Sequence, residues 1–164
     1  MKFIATTIYE YLNENTNIPN ILYHASNELF DNFELKQGWR THLLSVEQIN
    51  THAIFLTEDI EATKEFGEKY LYKCKIDINM ILDWTDYLDE RSAIGIKKLF
   101  GEIIPWERSD YWMLLDDKRI IEYLKRRGID GVMFTEIIEN HDPFITYAIL
   151  NPNNIQILEV DKLN

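Results

Sequence analysis

Residues 129–160 read IDGVMFTEIIENHDPFITYAILNPNNIQILEV, and the fold class turns on them. Gly131-Val132-Met133-Phe134-Thr135, Ile145 to Leu150 and Ile155 to Val160 are apolar, β-branched and aromatic runs of strand length. Between the first two lies Glu136 to Phe144, a polar stretch containing His141, Asp142 and Pro143 that reads as a loop. Upstream, Ser109-Asp110 is placed to cap a helix from Tyr111 to Arg127. Lys125, Arg126 and Arg127 suit its C-terminal dipole, and Gly128 suits the terminal left-handed position.

Working back toward the N-terminus, residues 78–107 are mixed, helical in pieces, with Pro105 breaking the last piece. Tyr70 to Asp77 alternates like a strand, Ala53 to Thr57 is an apolar strand, and Glu58-Asp59 precedes a helix from Ile60 to Phe66 with Gly67 as its stop. Asn20 to His24 reads as a short buried strand entering a polar turn at Ala25-Ser26-Asn27. The chain from Phe30 through Gly38-Trp39-Arg40 shows no period and reads as a loop anchored by aromatics. Ile4, Ile8, Tyr11 and Leu12 stand at helical spacing, so residues 1–18 are expected to open with a helix, with residues 19–164 forming the core of a single domain. The element order predicts a mixed α+β fold and does not suggest simple βαβ winding.

The chain has 164 residues, 17 Lys+Arg and 28 Asp+Glu, for a formal charge of −11. A nucleic-acid binder reading phosphates is not expected from that balance. The one dense basic stretch, Lys118, Arg119, Lys125, Arg126 and Arg127, is interleaved with apolar residues like a solvated helix face. No run of about 18 apolar residues occurs and the N-terminus lacks a signal-peptide pattern, so a cytosolic protein without membrane contact is expected. Cys74 is the single cysteine and reads as a core thiol. Trp39, Trp84, Trp106 and Trp112 read as anchors of loops and helices. Histidines 24, 42, 52 and 141 form no HExxH spacing, so no metal is expected, and Gly-rich phosphate loops and a GxSxG elbow are missing from the sequence.

What remains is a spacing pattern. Tyr23-His24-Ala25-Ser26 ends one strand. Ile54-Phe55-Leu56-Thr57 ends another and is followed by a helix carrying Phe66. Ile129-Asp130-Gly131-Val132 is followed by Thr146-Tyr147-Ala148-Ile149-Leu150-Asn151-Pro152-Asn153-Asn154-Ile155. Together these resemble the three motifs of the ADP-ribosyltransferase superfamily, in the branch of diphtheria-type toxins, poly-ADP-ribose polymerases and phage-encoded ADP-ribosyltransferase-like domains. The resemblance spans residues 20–160 and implies a split, mostly antiparallel sheet flanked by helices.

The resemblance further implies NAD as co-substrate and a mono-ADP-ribosyltransferase, encoded by a phage or mobile element and acting on a protein target in a bacterial cytosol. His24 and Ala25 match the positions that hold a ribose hydroxyl and the nicotinamide amide, and Ser26 follows them. Phe55 and Phe66 match the aromatic pair around the nicotinamide ring. Arg40 is a candidate for the pyrophosphate, because a guanidinium suits bidentate phosphate contacts.

Two positions depart from the family pattern. Ala25 stands where the family usually has glycine, and Thr146 stands where active members carry a glutamate that stabilises the cationic centre. Losing one such stabiliser typically costs about 100- to 1,000-fold in rate. Glu136, Glu139 or Asp142, all in the loop leading to that strand, could swing in as a carboxylate, so that either Thr146 or one of these carboxylates assists, or their charges could serve target recognition. The alternative is an inactive domain of the same fold, using its acidic surface to bind or inhibit a basic, nucleic-acid-binding partner.

Overall fold

The structure is a computed structural model. It describes residues 12–13, 18–35, 37–42, 45–50, 52–83, 85, 115 and 118–163, with backbone only for 12–13, 37–42 and 45–50. The strands are β1 (Leu12–Asn13), β2 (Ile21–Ser26), β3 (Gln37–His42), β4 (Ser45–Asn50), β5 (Ile54–Thr57), β6 (Tyr70–Ile76), β7 (Ile81–Asp83), β8 (Gly131–Glu136), β9 (Phe144–Ile149) and β10 (Ile155–Lys162). Helix α1 (Ile60–Thr63) follows β5, α2 (Lys118–Arg126) precedes β8, and a 3-10 turn at Pro152–Asn154 leads into β10.

Eight strands form one sheet in the order β1-β7-β8-β9-β5-β2-β6-β10, while β3 and β4 pair separately as a hairpin. Every pairing in the large sheet is antiparallel except β7 with β8. The architecture is thus mixed α+β and dominated by strands. The single parallel step, from β7 through α2 to β8, is a βαβ connection that the sequence reading did not include.

Each face of the sheet has its own core. On one face, Ile120, Ile121 and Leu124 of α2 pack with Leu82, Val132, Phe134 and Ala148. On the other, Leu22, Leu56, Tyr72, Cys74, Met133, Tyr147 and Ile149 form a second cluster with Phe33. The period-2 alternation of β5, β8 and β9 divides their residues between the two. Burial pushes the Cys74 thiol up to about 12, as befits a core thiol.

The Asp130-Gly131 pair joins β7 to β8. The Asp130 carboxylate accepts the backbone N–H groups of Asn79 (2.8 Å) and Met80 (3.0 Å). Its own N–H donates to the Met80 carbonyl, and its carbonyl accepts from Leu150. A Cβ on Gly131 would stand 2.9 Å from the Ala148 carbonyl oxygen, so the close β8–β9 approach favours glycine there.

Several expectations change. Leu12–Asn13 is a two-residue strand on β7; the backbone ladder at the sheet edge overrides the helical spacing, Ile18 is irregular, and residues 1–11 and 14–17 of the expected opening helix lie outside the described residues. Ala25 and Ser26 continue β2 instead of turning, because both pair with β6. Gly38-Trp39-Arg40 lies in a hairpin strand whose pairing with β4 needs no hydrophobic period. Ile81–Asp83 is a strand within a stretch expected to be helical in pieces. Helix α2 is described from Lys118 onward, and its end agrees with the reading: basic residues in the last turn and Gly128 at φ +72°. Ser109-Asp110, Pro105, Trp84, Trp106 and Trp112 lie outside the described residues. No helix among the described residues is long and apolar enough to cross a membrane.

Candidate functional site

One bridge joins β2 to β5, Tyr23 opposite Thr57. Beyond it, where Ala25 would face Phe55, the ladder stops. The His24 imidazole takes up the unpaired Phe55 carbonyl through Nδ1 at 2.9 Å. A carbonyl can only accept, so the proton is on Nδ1 and Nε2 keeps its lone pair. Burial lowers the imidazole pKa, opposed by this hydrogen bond, which favours the neutral ring. His24 pairs with Tyr72 in register, and its ring meets Phe33 edge-on at 5.2 Å. It is therefore anchored in the aromatic cluster of the second core.

A cleft of about 530 Å³ opens beside this gap. Register explains what lines it. Phe134, Thr146, Thr57 and Tyr23 are consecutive partners across four strands and share one face, the face that α2 covers farther along. Beyond the helix the row becomes the polar floor of the cleft, which Tyr23, Thr57, Thr146 and Glu136 line together.

Glu136 is the last residue of β8, opposite Phe144, and so belongs to the strand and not to the loop. That places it diagonally across from Thr146, whose hydroxyl donates to Oε2 at 2.6 Å. Thr146 is buried, at 4% exposure. Burial pushes the Glu136 carboxyl above its ordinary range, and the Thr146 hydroxyl opposes the shift by stabilising the ionised form.

The two phenylalanines both line the cleft, in different ways. Phe55 is half-buried and meets Phe134 edge-on, with ring centroids 6.4 Å apart. Phe66 is 55% exposed. Its turn is clamped to the end of β2: the Glu68 N–H donates to Asn27 Oδ1 at 2.9 Å. A Cβ on Gly67 would come within 2.4 Å of the Ser26 nitrogen and 2.6 Å of the Ala25 carbonyl carbon. Gly67 is thus a close-approach residue, and α1 has already ended at Thr63 with Asp59 as its N-cap. An aromatic ring held exposed by tight backbone contact is available for stacking on a flat ligand.

The remaining candidates sort as follows. Ala25 and Ser26 line the cleft; Ala25 sits in extended strand, where a methyl group is acceptable, and Ser26 Oγ accepts the Glu28 N–H. Glu139 and Asp142 are exposed in the β8–β9 connection and do not line the cleft. Asn140 at φ 65° turns the chain there, and the Asp142 carbonyl accepts from His141 Nδ1. Arg40 lies on β3 opposite Glu47; its side chain is outside the described residues. Tyr23, Asn27, Leu56, Thr57 and Thr63 complete the lining and were not singled out as site residues from the sequence. The alternation that puts Tyr23 and Ala25 on one face was the available signal.

No protein-family model matches this chain, and no curated protein or solved structure matches it.

Proposed function

We propose that this chain has an ADP-ribosyltransferase-like fold, takes NAD into the cleft and transfers ADP-ribose to a protein. The observation that carries the reading is the convergence on one cleft of His24, Phe55, Phe66, Thr146 and a carboxylate, Glu136, with His24 filling the gap in the sheet. The single β2–β5 bridge is consistent with a split sheet. Cleavage of the nicotinamide–ribose bond would supply the ADP-ribosyl group.

The chemistry of the lining fits such a molecule. Phe55 and Phe66 offer aromatic surface to a flat, electron-poor ring. Nε2 of the neutral His24 can accept a hydrogen bond from a ribose hydroxyl. Glu136 presents an anion in a partly desolvated site, where it stabilises developing positive charge more strongly than it would in water. Thr146 holds that carboxylate, so the anion comes from the strand next to the one that carries it in the family. The Ala25 and Ser26 backbone completes the wall.

The test is calorimetric titration with NAD while nicotinamide release is followed in the same samples, first alone and then with candidate protein acceptors. Expected are binding and release by the wild type, loss of binding in Phe66→Ala, and binding with release reduced about 100- to 1,000-fold in Glu136→Gln. Absence of binding at millimolar NAD overturns the proposal and leaves an inactive acidic module that binds a basic partner.

A further inference from the structure

The outward side of α2 forms a second concavity, of about 470 Å³, lined by Arg119, Tyr123, Arg126 and Arg127. These residues follow one stripe of the helix and its last turn, while Ile120, Ile121 and Leu124 face the core. The Arg127 guanidinium lies over the Tyr123 ring, 4.4 Å from its centroid. The contact is a cation–π pairing of the guanidinium with the ring face. Arg126 Nε donates to the Glu122 carbonyl at 3.3 Å, which orients its guanidinium. The Glu122 carboxylate is divided between Arg126 and Lys118, each at 3.7 Å.

That carboxylate is the only acidic side chain between Lys118 and Arg127, a segment holding Lys118, Arg119, Lys125, Arg126 and Arg127. In a chain of net charge −11, cations are therefore concentrated at one place. The helix dipole accounts for Lys125, Arg126 and Arg127 at the C-terminal end. Arg119, about two turns before that end, lines the same hollow. All three cations that line the hollow are arginine, the side chain whose planar fork matches phosphate oxygens.

We infer that the outward face of α2 binds a small phosphorylated anion bearing a pyrophosphate or two neighbouring phosphates. This site is separate from the cleft and does not rest on the reading of the cleft. Two of its guanidiniums are held before the ligand arrives, Arg127 by Tyr123 and Arg126 by Glu122, which lowers the ordering cost of binding.

The experiment is titration of the full chain with inorganic pyrophosphate at physiological ionic strength, followed by calorimetry. Wild type is compared with the folded double variant Arg126→Gln/Arg127→Gln, with Arg127→Lys and with Phe66→Ala. Expected is saturable one-to-one binding, weakened at least about tenfold in the double variant, weakened less in Arg127→Lys and unchanged in Phe66→Ala. Absence of saturation at about 10 mM, or equal affinity in wild type and double variant, overturns the inference. Binding of a single-stranded oligonucleotide without binding of pyrophosphate also overturns it, in favour of an extended polyanion surface.

Discussion

The two ends of β8 carry one acidic residue each, and the two do opposite things. Asp130, just before the strand, has its carboxylate satisfied by two backbone N–H groups that hold the start of β7. Glu136, the last residue of the strand, receives one neutral hydroxyl and lines a cleft. A carboxylate satisfied by backbone donors is a structural bolt. One that is partly buried with acceptor capacity left over is destabilising, and such groups gather where ligands bind. The Asp-Gly pair within the family-like pattern is thus explained by folding alone, whereas Glu136 calls for a functional reason.

Three substitutions sharpen or break that contrast. The largest expected effect is at the bolt. Asp130→Ala leaves the Asn79 and Met80 N–H groups without their acceptor and is expected to cost about 3 kcal/mol in urea denaturation. A loss under about 1 kcal/mol would remove the distinction between the two ends. At the cleft end, Thr146→Val is expected to change stability by about 1 kcal/mol or less. It should raise the Glu136 pKa further, because the lost hydroxyl favours the ionised form; carboxyl NMR titration reads this directly.

The smallest effect concerns pH. Burial raises the Glu136 pKa in the folded chain, so between its ordinary and its folded value the native state holds a proton that the unfolded state has released. The contribution of Glu136 to wild-type stability therefore falls as pH rises through that window. Glu136→Gln lacks this loss, and its stability relative to wild type should climb across the window and stay constant above it. A relative stability that falls with rising pH would mean that the fold stabilises Glu136 as an anion.

Much of the fold was legible because its signals are local. The runs over 131–135, 145–150 and 155–160 all form strands, and Gly128 ends α2 in the left-handed conformation. What escaped was chain whose structure is set by backbone pairing and carries no side-chain period. The polar hairpin of β3 and β4 is held by its backbone ladder, and β7 and β1 are too short to show a period. At the cleft, Phe55, Phe66, Thr146 and Glu136 were legible as chemistry. Their convergence was not, nor was the separation of Glu136 from Glu139 and Asp142, which share its stretch of sequence.

The sequence by itself determined the mixed α+β class, the burial of Cys74 and the residue types available to the site, because period-2 alternation and terminal glycines act over a few residues. Only the tertiary structure decided which carboxylate faces the cleft, that Asp130 is a bolt, and that β2 and β5 part after one bridge so that His24 fills the opening. Strand order and register are set by contacts between residues far apart in the chain. A one-residue change in register would turn Thr146 to the other face.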